Sequence, residues 1–454
     1  MKLTYNVSDR PRFPQLVVFA LQQLLAIMAA TLAVPIIVGN DMSIAAALFG
    51  AGVGTLTYIL FTKGRSPVFL GSSFAFINSM TAAFAGGVSM SLGYIGLILG
   101  AVFAGLVYVI IAFIVKFVGT NWINKLMPPV VIGPTVAIIG LSLAGSSIEQ
   151  LNSGNVTDIL GNSIASPFVA IICGLTALAV TMLCATYGKK MVKLTPFVIG
   201  ILAGYVLSLI FTLIGNAADI DALKLISFAP FEALTSDGVS IKTFLDVPGF
   251  TFLTAFKGAN DFSWSYVATI AVAYIPVAFV VFAEHIADHK NISSIIEHDL
   301  LEDPGLDRTL LGDGVGSIVG AFFGGCPNTT YGESVGCVAI TGNASVVTII
   351  GAAVGAIVLS FVSPFVAFVN SIPECVMGGV CMALYGFIAV SGLKMVQKVD
   401  LEENKNLFVV SVILISGIGG LVLNFGKVII TSVACALILG ILTNLMLNAK
   451  KKDK

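Results

Sequence analysis

The sequence has few charged residues and few histidines for its length. Of its 454 residues, 10% are charged and 57% are hydrophobic, whereas soluble domains carry about 25% charged residues. The formal net charge of −1 gives no reason to expect a nucleic acid as partner. Apolar runs near 20 residues, each long enough to cross a ~30 Å hydrocarbon layer, recur from one end of the chain to the other. The composition therefore excludes a soluble domain and predicts a multi-pass membrane protein.

The cysteines do not form a recognisable disulfide or metal-binding pattern. All seven lie in or beside apolar runs and none has CxxC spacing, so we interpret them as small packing residues. A cleavable signal peptide is not expected, because the N-terminal stretch is short and polar and the first apolar run lacks a small-residue cleavage site. That run is expected to stay in the protein.

The apolar runs predict fourteen crossings in two sets of seven. The first set covers residues 14–38, 43–62, 66–85, 92–118, 127–147, 167–187 and 195–214. The second covers 265–290, 309–325, 329–344, 346–371, 375–393, 405–424 and 428–448. A polar loop at 216–263, expected to be extracytoplasmic, separates the sets. Twelve crossings with two re-entrant segments have the same parity and stay open as an alternative.

The distribution of Lys and Arg predicts the orientation of the chain. With fourteen crossings and a cytoplasmic N-terminus, 19 of the 23 basic residues lie inside. The other four, Lys224, Lys242, Lys257 and Lys427, lie outside. Cytoplasmic loops are enriched in Lys and Arg, so both termini are expected in the cytoplasm.

Two predicted spans are interrupted. Residues 66–80 read SPVFLGSSFAFINSM and residues 326–342 read CPNTTYGESVGCVAITG; both are rich in Pro, Gly, Ser or Thr. Irregular backbone at membrane depth is tolerated only against protein or a wet cavity, and paired interrupted spans indicate a transporter site. Each is third in its set of seven, which favours an inverted repeat. Further matches of Pro128, Val131 and Gly133 with Pro373, Val376 and Gly378, at a constant offset, also arise by chance in Gly- and Pro-containing helices.

The main ionisable cluster in an apolar run is VFAEHIADHK. Glu284 and Asp288 are four residues apart and share a helical face, while His285 and His289 lie on adjoining faces. Ionisable groups in the membrane cost about 2.5–3.5 kcal/mol each on insertion scales, so they are functional candidates. Two neighbouring carboxylates disfavour double ionisation, which suits a group that carries a proton. The alternative is an interfacial cluster at the cytoplasmic helix end beside Lys290.

Glu333 is the second candidate carboxylate, in NTTYGESVG. The preceding Gly332 allows close backbone approach or a positive φ, and a half-helix that starts at Glu333 directs free N–H groups into a cavity. The alternative is a water-exposed loop carboxylate. Asp313 is interpreted as an N-terminal cap or interface residue.

One enzyme-like pattern is present. His285, Asp288 and His289 form H-x-x-D-H, which is one carbon short of the H-x-x-E-H zinc motif. An intramembrane metallopeptidase is a minor alternative, since a third ligand is not evident and the chain has three histidines in all.

The chain resembles the bacterial uracil permeases of the nucleobase–ascorbate transporter family. The matching segments are GSSFAFI at 71–77, AEH at 283–285, DPGL at 303–306, PNTTYGE at 327–333 and VMGG at 376–379. The resemblance covers nearly the whole chain and implies an all-α, fourteen-span 7+7 inverted repeat with short β-strands in spans 3 and 10. It implies a core domain at 13–119 and 264–371 and a gate domain at 127–215 and 372–449, joined by the 216–263 loop.

The resemblance also implies the site. Glu284 and Glu333 hold the base, backbone groups at Phe74 and Gly332 assist, and Tyr331 lies beside them. Proton coupling is assigned to Glu284, Asp288 and His289. Uracil is favoured because Glu stands at 333, where purine-transporting relatives tend to carry Gln. Uracil members often have His at the position of Asp288, Asn at that of Ser334, and many members have His at that of Gln23.

These observations together predict a proton-coupled nucleobase importer of the cell inner membrane, most simply a uracil:H+ symporter that works by alternating access. The alternatives are a symporter for xanthine or another nucleobase and an anion transporter of the same fold. No enzymatic activity, cofactor or metal is expected. The expected partners are uracil, protons and the lipid bilayer, with a homodimer through the gate domain as a possible assembly.

Overall fold

The chain folds almost entirely into helices. The computed structural model describes residues 3–448 apart from 120–121, 123–126, 159–162, 190, 237, 262 and 426–427. The main helices are α1 (Phe13–Val38), α2 (Ile44–Phe61), α3 (Ile77–Ala83), α4 (Met90–Val118), α5 (Pro129–Ser142), α6 (Ala144–Leu151), α7 (Pro167–Tyr187), α8 (Pro196–Ala218), α9 (Trp264–Ile296), α10 (Leu306–Gly324), α11 (Gly332–Thr341), α12 (Val346–Ser360), α13 (Ser363–Asn370), α14 (Glu374–Val396), α15 (Asn404–Ile418) and α16 (Ser432–Asn448).

Shorter elements connect these helices. Short helices lie at Met191–Leu194, Ala229–Glu232, Ile241–Phe244 and Thr251–Ala255, and single turns lie at Phe74–Phe76, Asp221–Leu223, Phe256–Asp261 and Leu301–Gly305. The strands β1 (Leu70–Ser72) and β2 (Asn328–Thr330) pair antiparallel, with Gly71 opposite Thr329. The strands β3 (Leu423–Phe425) and β4 (Val428–Ile430) form a second antiparallel pair.

Local sequence explains where several helices begin and end. The hydroxyls of Ser43, Ser89 and Ser263 accept hydrogen bonds from the first turns of α2, α4 and α9, which satisfies N–H groups that no helical carbonyl reaches. Helices α7 and α8 start with proline, whose missing N–H is harmless in the first turn. Helix α10 stops at Gly325, which has a φ of 76°, and this left-handed residue turns the chain towards β2.

Helix length and composition identify the membrane-crossing elements. Among the described residues, eight helical segments are long and apolar enough to cross a bilayer, and four shorter apolar helices accompany them. Side chains such as Phe117, Phe168 and Ile415 are more than 70% exposed, as expected where the surface faces lipid tails. The protein is therefore an integral, multi-pass membrane protein.

The helices pack in two groups. The first group comprises α1, α2, α4, α9, α10 and α12, in which α10 packs against both α2 and α4. The second group comprises α5, α7, α8, α14, α15 and α16, in which α14 packs against both α5 and α7. Each group buries apolar side chains within itself, and the crossing strands β1 and β2 lie in the first group against α2 and α10.

Glycines bring α2 and α10 into backbone contact. A Cβ added to Gly50 would lie 2.4 Å from the Gly320 carbonyl oxygen, and one added to Gly54 would lie 2.8 Å from that of Gly316. The Asn328 side chain of β2 enters this narrow crossing and donates to the Gly50 carbonyl at 2.9 Å. Small residues at helix crossings allow this close approach in membranes, and here they fix β2 to both helices.

We expect Gly50→Ala to destabilise the protein by about 2 kcal/mol, because the new methyl group meets rigid backbone and forces the helices apart. Thermal unfolding in detergent measures the effect. Gly386→Ala in α14 is the matched control, since nothing lies within 4 Å of a Cβ at that position. Equal unfolding midpoints for both variants would contradict the close crossing.

The structure departs from the sequence prediction in three places. The predicted span at 346–371 is two helices, since α12 ends at Ser360 and α13 starts at Ser363. Helix α15 ends at Ile418, six residues before the predicted span end at 424, and the β3–β4 pair, which was not predicted, follows it. Asp313 is not a helix cap: α10 starts at Leu306, so Asp313 lies two turns inside it and is fully buried. Lys427, which the orientation prediction uses, and residue 449, where the predicted gate domain ends, lie outside the described residues.

The 216–263 segment is attached to both helix groups. Its first part binds the second group, where Ala222 and Leu225 accept backbone hydrogen bonds from Ser166 and Asn155. Its later part binds the first group: Asp246 donates to the Phe361 carbonyl, and the Lys242 carbonyl accepts from Ser363. The segment therefore spans the boundary between the groups.

Candidate functional site

Two half-helices start at the crossing of β1 and β2. β1 leads through the Phe74–Phe76 turn into α3, and β2 leads directly into α11 at Gly332. The Ser73 N–H donates to the Pro327 carbonyl at 2.9 Å, and the Tyr331 N–H donates to Phe69 at 3.2 Å. These bonds extend the ladder beyond both strands. The starts of both half-helices, with their unpaired N–H groups, are thereby held side by side inside the protein.

Helix α9 places two carboxylates opposite this crossing. The Asp288 carboxylate accepts a hydrogen bond from the Thr330 hydroxyl of β2 at 2.8 Å. Glu284 lies one turn earlier on the same face and interacts electrostatically with both Asp288 and Glu333. The structure therefore brings together the three acidic residues that the sequence singled out, although 45 residues of chain separate Asp288 from Glu333.

An open space lies beside Gly332, next to the Asp288 carboxylate. Glu284 and Glu333 are half-buried and Gly332 is exposed, while Asp288 is 8% exposed. A Cβ added to Gly332 would meet only Asp288 Oδ1, at 3.9 Å. Gly332 has no positive φ, so the positive-φ explanation does not hold for it, and close backbone approach to a substrate stays a prediction. This open space, bordered by Asp288 and by the backbone at the start of α11, is called the cavity below.

Two aromatic residues complete the predicted site. Tyr331 is buried, and its hydroxyl donates to the Ser72 carbonyl at 2.7 Å; its ring fills the space above Gly71, where a Cβ would lie 2.3 Å from it. Phe74 is 8% exposed, and its ring packs edge-on against Tyr385 of α14, with ring centroids 5.8 Å apart. Phe74 therefore sits where the two helix groups meet.

The sequence analysis missed two residues of this region, Tyr385 and Thr330. Tyr385 is contributed by the second helix group, with its hydroxyl beside the Cys381 thiol. Thr330 holds Asp288, and Gln23 of α1 donates to the Ser334 hydroxyl, which also accepts from the Phe69 N–H at 3.0 Å. A polar or amphipathic residue within an apolar span was the available signal, but only ionisable groups were weighed.

The two histidines of the cluster face away from the cavity. His285 Nδ1 bonds Asp313 at 2.6 Å and its Nε2 bonds Thr309 at 3.0 Å. His289 Nε2 bonds the Tyr58 hydroxyl at 2.7 Å. Both rings are fully buried in the first helix group. The predicted proton-coupling role of His289 stays a prediction.

The described part of the chain contains no group of three His, Cys, Asp or Glu residues that could hold a metal ion. Both histidines of the H-x-x-D-H pattern are bonded to Thr, Tyr, Asp or backbone partners. The geometry supports carboxylate recognition of a small molecule between two helix groups. Broken helices with a polar site at their ends are typical of secondary transporters, so fold and site define a membrane transporter.

Comparison with known proteins gives the family. Residues 14–425 match the sequence model of the Permease family, and the chain belongs to this family. It is 37% identical to the uracil permease of Bacillus subtilis (strain 168), with 100% of this chain and 97% of the relative covered. It is 35% identical to the uracil permease of Escherichia coli (strain K12), covering 96% and 92%. The resemblance inferred from the motifs is confirmed, and the metallopeptidase alternative is wrong: the chain is a permease and not an enzyme.

Solved structures share the fold at low sequence identity. The transmembrane domain of a cyanobacterium bicarbonate transporter, BicA, gives a TM-score of 0.64 at 14% identity, with 97% of this chain and 99% of that chain covered. Murine Slc26a9, an anion transporter in the inward-facing state, gives 0.62 at 12% identity, covering 97% and 69%. The likeness establishes a mostly helical transporter fold.

Proposed function

We propose that the protein imports uracil together with protons. The observation that carries the proposal is that Glu284 of α9 interacts electrostatically with Glu333, which lies at the start of the half-helix that follows the β1–β2 crossing. The name of the relatives, uracil permease, at 35–37% identity over nearly the full length supports the same substrate. We assign substrate binding to Glu284, Glu333, Tyr331 and the backbone at Phe74 and Gly332.

The chemistry of uracil matches these groups. One edge of uracil alternates N–H donors with C=O acceptors. Carboxylates accept from N–H, whereas backbone N–H groups and a protonated carboxyl donate to C=O. The start of α11 supplies N–H groups that no helical carbonyl accepts, and the Glu333 N–H bonds its own carboxylate. A site built on such matched bonds discriminates strongly against analogues that lack one partner.

Proton coupling is proposed from the charge of the cavity. Three carboxylates surround it, and the hydrogen bond that Asp288 accepts comes from a neutral hydroxyl. Uracil is neutral and brings no compensating charge, so protons on Glu284 and Asp288 relieve the repulsion between like charges. In the proposed cycle, protonated Glu284 binds uracil from outside, the helix groups move, and proton and base leave to the cytoplasm. His289 contributes to coupling by holding the helix segment that bears these carboxylates.

We further propose the fourteen-span arrangement. The eight long and four shorter apolar helices, together with α10 and α11, supply fourteen elements that match the predicted crossings one by one. The first helix group corresponds to the proposed core domain and the second to the proposed gate domain. Cytoplasmic termini, an inner-membrane location and a homodimer through the gate domain complete the proposal.

Uptake of labelled uracil into proteoliposomes tests the function. We expect an inward proton gradient to raise accumulation at least tenfold, and unlabelled uracil to compete far better than xanthine. Empty liposomes and a collapsed gradient serve as controls. Uptake of xanthine or bicarbonate without uptake of uracil would leave the fold assignment intact and would contradict uracil as the substrate.

A further inference from the structure

The carboxylate-bearing segment of α9 has two differently bonded faces. Glu284 and Asp288 are four residues apart and face the cavity, while His285 and His289, also four apart, face the interior of the first helix group. The two imidazole rings stack, with centroids 4.0 Å apart and an interplanar angle of 28°. Because the histidines and the carboxylates belong to the same helix segment, a rotation of α9 that moves the histidine face also moves the neighbouring carboxylates.

The histidine face is tied to two neighbouring helices. His285 bonds Asp313 and Thr309 of α10, and His289 bonds Tyr58 of α2 at 2.7 Å. Tyr58 in turn bonds Ser66 at 2.7 Å. All of these side chains are fully buried. These bonds fix the rotation of α9 about its axis relative to α2 and α10.

The need for such an anchor follows from the helix itself. Pro276 lies inside α9 and removes one backbone hydrogen bond two turns before Glu284, and a proline at this position kinks a helix. The direction in which Glu284 and Asp288 point is therefore not set by the helix start alone. Side-chain hydrogen bonds after Pro276 supply this constraint.

The bond to Tyr58 also fixes the protons of neutral His289. Its Nδ1 lies 2.8 Å from the His285 carbonyl oxygen, which only accepts, so Nδ1 carries the hydrogen. Nε2 is then left to accept from the Tyr58 hydroxyl at 2.7 Å, which also lies 2.7 Å from the Ser66 hydroxyl. Both ring nitrogens of His289 are therefore paired.

We propose that Tyr58 and His289 are positioning residues that aim Glu284 and Asp288 at the substrate cavity. Tyr58 acts through His289, and His289 acts through the helix backbone, without touching the substrate. This inference rests on the proposed function. It assigns a role to a tyrosine in a helix that contributes no residue to the predicted site.

Tyr58→Phe tests the proposal, because it keeps the ring and removes the single O–H that His289 Nε2 accepts. We expect the Kd for uracil to rise about tenfold, since small misplacements of reacting groups have large effects. The matched control is Tyr108→Phe. Tyr108 is also buried and packs against His285 with centroids 6.1 Å apart, but its hydroxyl has no hydrogen-bond partner among the described residues. The Kd of the Tyr108→Phe variant for uracil is expected to stay within twofold of the wild-type value.

The pH profile of the Kd separates positioning from proton transfer. A positioning role predicts that the Tyr58→Phe curve between pH 5 and 8 is displaced in parallel with the wild-type curve. A flattened curve would overturn the proposal in favour of His289 as a proton carrier, and an unchanged Kd would overturn it outright. Ser66→Ala removes only the hydroxyl that bonds Tyr58 from the far side. It should give a smaller parallel displacement, and it replaces Tyr58→Phe in the test if that variant fails to fold.

Carbodiimide labelling of Glu284, mapped by mass spectrometry, supplies a readout that does not depend on the substrate. A changed labelling rate in Tyr58→Phe, with Tyr108→Phe unchanged, supports positioning, and equal rates in all three proteins contradict it. If the wild type fails to bind uracil while labelling still responds to Tyr58→Phe, the proposed function falls and the positioning role stands.

Discussion

Replacement of Glu333 by glutamine is expected to weaken uracil binding at least 100-fold. Glutamine has nearly the same size, but it presents a donor where the carboxylate presents only acceptors. One uracil N–H then faces either a weaker neutral acceptor or a second N–H. Hydrogen bonds to charged groups contribute about 1.5–3 kcal/mol, and an unpaired buried donor costs about as much again. Equilibrium binding of labelled uracil to purified protein measures the loss.

The position of Glu333 makes this variant a clean test. Its carboxylate is half-buried beside the open space at Gly332, so the substitution disturbs no packed core. Glu374→Gln is the matched control, because Glu374 starts α14 outside the site and binding should not change. Alanine in place of Glu333 should abolish binding. Wild-type affinity in the glutamine variant would remove Glu333 from the site.

Glu284→Gln should uncouple transport from the proton gradient. The amide imitates a protonated carboxyl that never releases its proton, so uracil can still be bound and exchanged. Net accumulation requires the return of a deprotonated carrier and should fall at least tenfold. Gradient-driven uptake and uracil counterflow in the same proteoliposomes measure the two activities separately.

The sign of the pH effect follows from the proposed cycle. Wild-type uptake should increase as the outside becomes more acidic, because protonated Glu284 is the form that binds uracil. The Glu284→Gln variant should show no such increase. Asp288→Asn is the companion variant. The asparagine amide oxygen can still accept the hydrogen bond from Thr330, while the negative charge at position 288 is removed. If Glu284→Gln accumulates uracil like the wild type, the proton is carried elsewhere.

Part of the site was predictable because ionisable residues are rare in apolar segments. Glu284, Asp288 and Glu333 were visible for this reason, and Gly332 stood next to one of them. Tyr385 and Thr330 were not visible, since tyrosine and threonine are common in membrane helices and only the fold brings them near the carboxylates. Pro, Gly, Ser and Thr residues within two apolar runs predicted the two interrupted spans. Only the structure shows where each strand ends and where each half-helix begins.

The misinterpretation of Asp313 has a physical cause. Glycines on both sides of it, Gly312 and Gly314, look like a helix start in the sequence. In the structure they allow close packing instead: a Cβ on Gly314 would lie 2.9 Å from the Gly105 carbonyl, and one on Gly312 would lie 3.0 Å from the Tyr58 ring. Local sequence does not distinguish a glycine at the end of a helix from a glycine that allows a neighbouring helix to pack closely.

The attachment of the 216–263 segment to both helix groups sets a limit on their travel. Its hydrogen bonds to the second group end near Leu225, and the short helix Ala229–Glu232 already packs against α13, which follows α12 of the first group. Residues 227–228 join these attachments and reach about 7 Å when fully stretched. A larger displacement of one group relative to the other must therefore release one of the attachments or carry the segment along with it.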